Sequence, residues 1–152
     1  MTTDKRELAV AALQSGTVID HIPSEALFKC VKILELEKMP QKLTIGNNLD
    51  SGRLGTKGII KVADTFFPEA TLNRIALIAP SAVVNIIRNY EVVEKRRVEL
   101  PEVIKGIVKC DNPKCITNNE PMQTVFYMAE DGEHIRCRYC NHAVANGKAN
   151  IL

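Results

Sequence analysis

The 152 residues are 45% hydrophobic and 25% charged with a net charge of +2, room for one ordinary domain or two small ones. These fractions exclude wholesale disorder and a fibrous repeat, and no apolar run approaches the length of a membrane span. The apolar stretch after Met-Thr-Thr-Asp-Lys-Arg-Glu is too short for a signal-peptide core, so a soluble, cytoplasmic protein is expected. In chain order, Leu8–Leu13 and Thr17–His21 are short strands around Gly16. Pro23-Ser24 opens a helix with Ser24 as N-cap, and Leu27, Cys30, Val31 and Leu34 form its buried stripe. Leu43–Ile45 and Gly58–Val62 are strands, separated by the Gly/Asn-rich segment Gly46–Gly55, read as a loop. Pro68 suits the first position of a second helix whose apolar face is Leu72, Ile75, Ala76 and Ala79 and which Pro80 ends. Ala82–Ile87 and Tyr90–Lys95 follow as strands joined at Arg88-Asn89. The order β-α-β-β-α-β with an extra hairpin strand predicts an α+β, ferredoxin-like αβ sandwich over residues 1–100.

Glu99-Leu100-Pro101-Glu102 reads as a boundary, and residues 101–152 as a small all-β domain. Its strands are expected at Val103–Lys109, Thr124–Met128, His134–Arg138 and Ala143–Ala145. Four of the five cysteines fall here, as Cys110-x4-Cys115 and Cys137-x2-Cys140. Each spacing lets two thiolates converge on one tetrahedral ion. Four thiolates leave no coordination position for water or substrate, which is the pattern of a structural zinc. Iron held by the same four thiolates competes with zinc, because geometry alone does not separate them. A redox dithiol at Cys137/Cys140 leaves the first pair unexplained. So short a domain buries little core, and metal binding supplies the missing folding free energy, on the order of 10 kcal/mol. His134 and His142 flank the second pair as surface residues, and Cys30 packs in the core.

The residues contain no nucleophile elbow, Walker loop or dinucleotide fingerprint, and Gly46–Gly55 has the wrong spacing for a phosphate cradle. Asp20-His21 is an adjacent carboxylate–imidazole pair, but in a regular strand neighbours face opposite ways and form no dyad. Lys57, Lys61, Lys95, Arg96 and Arg97 are the cations with local meaning. If their strands are close, Lys61 and Lys95 converge on a polyphosphate as point charges. Asn85 and Tyr90 are polar groups that suit the flank of a base.

Taken together, Gly16–Ile22 (GTVIDHI), Lys57–Phe66 (KGIIKVADTF), Val84–Val93 (VNIIRNYEVV) and the C-x4-C…C-x2-C tail resemble the regulatory chain of aspartate carbamoyltransferase. The resemblance implies a non-catalytic chain with an N-terminal allosteric nucleotide-binding domain and a C-terminal zinc domain that docks on the catalytic chain. It implies paired regulatory chains, three pairs bridging two catalytic trimers in a dodecamer. CTP is implied as inhibitor of the first committed step of pyrimidine biosynthesis and ATP as activator, with UTP acting beside CTP in some members. It places Val10, Ala12 and Leu13 along the base and ribose pocket, Asp20 on the ribose hydroxyls and His21 near the sugar-phosphate. Lys61 falls by ribose and base, and Lys95 at the phosphates with backbone along Val92–Val93. Asn85, Ile87 and Tyr90 complete the base wall, and Cys110, Cys115, Cys137 and Cys140 are the zinc ligands. Ala11, Lys114 and Asn141 depart from the family's pattern, the last two on loops expected to touch the catalytic chain, whereas Asn112 is retained.

The competing reading is a stand-alone zinc-ribbon protein that binds nucleic acid. A tail over which opposite charges balance, few aromatics and no basic stripe argue against it. Neither nucleic acid nor membrane is expected as a partner.

Overall fold

The computed structural model describes residues 13–52 and 54–152. The expected strand Leu8–Leu13, apart from Leu13 itself, and the candidates Val10 and Ala12 lie outside the described residues. Five strands, β1 (Gly16–Pro23), β2 (Leu43–Ser51), β3 (Gly55–Ala63), β4 (Val83–Arg88) and β5 (Glu91–Arg97), form one sheet in the order β2-β3-β1-β4-β5. Every neighbouring pair is antiparallel. Helix α1 (Leu27–Ile33) connects β1 to β2, and α2 (Glu69–Asn73), continued by the 3-10 turn Arg74–Leu77, connects β3 to β4. This is the split β-α-β arrangement expected of a ferredoxin-like sandwich, with β5 added at one edge.

Helices of seven and five residues are too short to stand alone and are held by packing. Ile19, Ile60, Val62 and Val84 on the sheet meet Leu27, Cys30 and Leu34 from the α1 segment and Leu72, Ile75 and Ala76 from the α2 segment in one buried cluster. Each fully buried Ile or Leu contributes about 1.5–3 kcal/mol. Gly58 permits the close approach of α1, since a Cβ there would lie 2.7 Å from Leu27 Cδ1. Cys30 is an inert part of this core, its thiol pushed up to about 12 by burial.

Several local expectations are corrected. Ser24 does not cap α1. It opens a 3-10 turn, and its hydroxyl donates to Thr56 Oγ1 at 2.8 Å. Gly46–Gly55 is not a loop but largely ladder, because β2 continues to Ser51 across a bulge between Gly46 and Leu49 where Asn48 takes φ +58°. Asparagine tolerates that conformation, so a polar, glycine-containing run reads as a loop while forming a bulged strand. Pro68 precedes rather than begins α2, and the helix tightens to 3-10 before Pro80 is reached. Tyr90 lies in the β4–β5 turn with Asn89, at φ +65° and +52°, rather than in a strand.

The second unit contains β6 (Val103–Lys105), β7 (Val108–Lys109), β8 (Val125–Met128), β9 (His134–Cys137), β10 (Ala143–Ala145) and β11 (Asn150–Ile151). Strands β10-β9-β8-β6 form an antiparallel sheet, and β7 pairs with β11. The single strand expected over Val103–Lys109 is broken at Gly106, whose φ of +70° turns the chain from one sheet to the other. Ile104, Val108, Phe126, Ile135 and Val144 fill the small core together with the cysteines. Among the described residues no helix is long and apolar enough to cross a membrane.

Candidate metal centre and effector face

The two cysteine pairs meet at one point. Cys110 and Cys115 leave the loop after β7, Cys137 ends β9 and Cys140 follows its turn. Their four sulfurs all lie within 4.8 Å of one another, with Cys110 to Cys140 at 3.5 Å and Cys115 to Cys137 at 3.7 Å. A tetrahedron with metal–sulfur bonds of about 2.3 Å has edges of about 3.8 Å, so this sulfur cage fits a thiolate-bound ion. Asn118 Nδ2 donates to the carbonyls of Cys110 (2.9 Å) and Asn112 (2.8 Å), and Asn119 Nδ2 donates to Cys115 O (2.9 Å), which closes the first turn. In the second turn the Asn141 amide donates to Cys137 O (2.8 Å) and the Cys137 amide to His142 O (3.0 Å). Asn141 holds φ +65° there. His134 is turned to Asp131, its Nδ1 2.8 Å from the carboxylate, and neither histidine joins the cage.

Burial pushes the Cys110 thiol up to about 12 despite the Asn112 backbone bond that favours its thiolate. Burial also raises Cys137. At Cys140 the burial effect is outweighed by the His142 amide and by the Asn112, Cys110 and Cys115 contacts, leaving the thiol at about 7. One thiolate is therefore easily formed, whereas four within this radius require a cation.

The register of the five-stranded sheet sorts its residues onto two faces. Ile45, Ile60, Ile19, Val84 and Arg96 are consecutive partners and lie on the helix side. One residue along, Thr44, Lys61, Val18, Asn85 and Lys95 are consecutive partners and therefore lie on the opposite face, which carries neither α1 nor α2. Two further rows share that face: Ala63, Gly16, Ile87 and Val92 on one side, and Asp20, Val83 and Arg97 on the other. Ile87 is buried, Lys61 and Asn85 are half-buried, and Lys95 and Val92 are exposed. Leu13 leads into this face beside Gly16. Tyr90 is 66% exposed in the turn, and its amide donates to Gln14 O at 2.9 Å.

Asp20 and His21 sit at a bulge, since the β1–β3 register shifts between Ile19 and Ile22 and His21 takes φ +57°. The condition of a regular strand, on which a dyad was dismissed, fails here. Asp20 Oδ1 accepts the His21 amide at 2.7 Å and pairs with Lys57 Nζ at 2.9 Å, while Ser81 Oγ donates to His21 O at 2.9 Å. The carboxylate thus holds the bulge.

Comparison with known proteins bears on the whole chain. Residues 8–99 match the family model described as aspartate carbamoyltransferase regulatory chain, allosteric domain, and residues 102–150 match the metal binding domain of the same chain. The chain belongs to the aspartate carbamoyltransferase regulatory chain family. A regulatory chain from Bacteroides fragilis is 58% identical over 141 residues, covering 92% of each chain. One from Bacteroides thetaiotaomicron is 54% identical over 153 residues and the full length of both. One from Pyrococcus horikoshii is 49% identical over 141 residues, covering 91% of this chain and 93% of its own.

As a regulatory chain, the protein is non-catalytic, and the scarcity of catalytic constellations in the sequence agrees with that. Some of its structural residues escaped the sequence reading. Lys57 stood out only as a cation, and its pairing with Asp20 needs the β1–β3 register. Asn118 and Asn119 had no distinguishing signal beyond following a cysteine turn. The two departures in the metal-binding domain lie in different cysteine turns: Lys114 is exposed in the first, and in the second Asn141 carries its side chain to Tyr127 Oη at 3.2 Å.

Proposed function

We propose that this chain is the allosteric subunit of an aspartate carbamoyltransferase assembly, with CTP as inhibitor and ATP as activator bound on the face of its five-stranded sheet opposite α1 and α2. The observation that carries this reading is the row Lys61, Val18, Asn85, Lys95. The two lysines stand three strand spacings apart, about 14 Å, with an apolar residue and an amide between them. Side chains of that length bracket an elongated polyanion rather than a compact one. Lys95 takes the phosphates with the backbone of Val92–Val93, and Lys61 the ribose side. Asp20, two residues beyond Val18, accepts the ribose hydroxyls, with His21 at the sugar-phosphate. Asn85, Ile87 and Tyr90 with Val10, Ala12 and Leu13 form the base wall.

Cys110, Cys115, Cys137 and Cys140 hold one structural zinc, which when bound supplies cross-linking of two chain segments and no reaction chemistry. The metal unit docks on the catalytic chain, and paired regulatory chains bridge catalytic trimers in a dodecamer that governs the first committed step of pyrimidine biosynthesis. UTP is accommodated beside CTP by the same reading, and the site of action is cytoplasmic. A nucleotide shifts the assembly only through its differential affinity for two states, with coupling of about 1–3 kcal/mol.

The test is calorimetry of CTP and ATP on the full chain and on Lys95→Ala. Loss of one charge-assisted phosphate contact weakens both nucleotides by about tenfold or more. Unchanged affinity for both contradicts the assignment.

A further inference from the structure

Strand β5 serves two faces at once. Lys95 stands on the face opposite α1 and α2, and the next residue, Arg96, on the side of those helices. Arg96 Nη1 lies 3.5 Å from Glu69 Oε1 and 3.5 Å from Asn73 Oδ1, both on α2. The same Asn73 oxygen accepts the Glu99 amide at 3.1 Å. Glu99 begins the connector to β6, immediately beyond Val98, whose amide makes the last ladder-like bond to Ala82 O at 3.3 Å. One carbonyl oxygen with two lone pairs is therefore the meeting point of the effector strand, α2 and the connector.

The packing around this point is open. A cleft of about 420 Å³ separates Asn73, Arg74 and Leu77 from Pro101, Ile104 and Ile107. Elsewhere one buried cluster runs from Ile75, Leu77 and Ala79 to Ile104, Val108 and Phe126, and the polar tie at Asn73 adds a link at the edge of the cleft, where that packing is interrupted. A third contact runs from Arg96 Nε to Glu94 Oε1 at 3.9 Å, and all three are longer than the 2.7–2.9 Å of a closed charge-assisted bond. Arg96 is thus held among three acceptors without being committed to any, and because Glu94 moves with β5 while Glu69 and Asn73 stay on α2, a small shift of β5 changes how it closes on Asn73.

We infer that Asn73 is a positioning residue that couples the effector strand to the metal-binding unit, by holding the connector amide of Glu99 on the same oxygen that Arg96 approaches. This rests on the effector reading above. An anion gathered by Lys95 displaces β5, Arg96 follows because it is the next residue, and the Asn73 amide passes the displacement to Glu99. Asn73 touches no nucleotide in this scheme, so its loss separates binding from response.

The test uses the assembly with the catalytic chain. In Asn73→Ala, CTP affinity by calorimetry stays within about twofold of wild type, the range for non-contacting sites. The CTP-induced change in half-saturating aspartate falls about fivefold, the factor of one hydrogen bond. Asn73→Asp keeps an oxygen facing both donors and restores the response. A full CTP response in Asn73→Ala, or failure of Asn73→Asp to restore it, overturns the inference. A wild-type assembly that neither binds nor responds to CTP overturns the effector reading instead. The tie is then judged by hydrogen exchange of the Glu99 amide, expected to be about fivefold faster in Asn73→Ala and normal in Asn73→Asp; equal exchange in all three chains shows that the tie is not there.

Discussion

Replacing Cys137 by serine tests the metal centre at its most enclosed ligand. Cys137 is fully buried, its sulfur is 3.7 Å from Cys115 Sγ, and its backbone is in register with Phe126 at the centre of the small core. A structural zinc contributes about 10–16 kcal/mol to folding, comparable to the whole stability of an ordinary domain. One bond of four is then about 3 kcal/mol, or roughly a hundredfold in metal affinity. Competition with a chelator of known affinity measures that loss directly. Backbone amide resonances report the structural consequence separately for the two units. On metal removal from the wild-type chain, Phe126, Ile135 and Val144 lose their native shifts, whereas Ile19, Ile60 and Val84 keep theirs. Cys137→Ser reaches the same state at chelator concentrations about a hundredfold lower. Native shifts at Phe126 and Ile135 in metal-free protein would refute the argument that the ion replaces a missing core.

Three further outcomes follow from particular contacts. Gly16→Ala places a Cβ 2.1 Å from Val62 O at φ +142°, so the central strand must shift; urea unfolding should show a loss of about 2–3 kcal/mol, and an unchanged midpoint would contradict the placement of β1. Asp20→Ala removes both the Lys57 partner and the acceptor of the His21 amide, for about 1.5–3 kcal/mol in the same assay, with wild-type stability as the refuting result. Asp131 is held below its ordinary value near 3.8 by accepting the Glu133 amide and then by the His134 ring. Its contribution is therefore present above the ordinary carboxylate range and is lost as pH falls through the lowered value. The stability difference between wild type and Asp131→Ala should shrink with acidification, and a difference that stays constant from neutral pH to about pH 2.5 would refute the assignment.

The cysteine cage was legible because spacing along the chain restricts where two sulfurs can go, and two such spacings leave few arrangements. The helix stripes were legible too: Leu27, Cys30 and Leu34, and Leu72, Ile75, Ala76 and Ala79, are buried as their periodicity requires, and Val31 alone is only half-buried. What the sequence withheld is register. Bulges interrupt β1 between Ile19 and Ile22, β2 between Gly46 and Leu49, and the β4–β5 pairing between Ile86 and Ile87. A one-residue slip turns every later side chain to the other face, so no pattern of alternation could place Lys57 beside Asp20 or Tyr90 in a turn. The misread Gly46–Gly55 segment has the same origin, since a bulged strand uses the residues of a loop.

The arrangement of the sheet face opposite α1 and α2 also constrains how opposite effects can arise at one site in the proposed role. CTP and ATP share a triphosphate and a ribose, and contacts to those parts stabilise either nucleotide in whichever state offers them. Lys95, Lys61 and Asp20 therefore set affinity and have no means of setting the sign of the response. The sign must come from where the ligands differ, in base size and donor pattern, and so from the wall that includes Asn85, Ile87 and Tyr90. That wall is mechanically divided. Ile87 and Asn85 are anchored in the central strands, whereas Tyr90 lies in an exposed turn tied to Gln14 by its backbone. In the proposed role a larger base would press on the turn and a smaller one would leave it closed, and the turn leads into β5, the strand that carries Lys95 on one face and Arg96 on the other. One strand thus receives both the shared and the distinguishing parts of the ligand, which is what a single site must do to report two nucleotides in opposite directions.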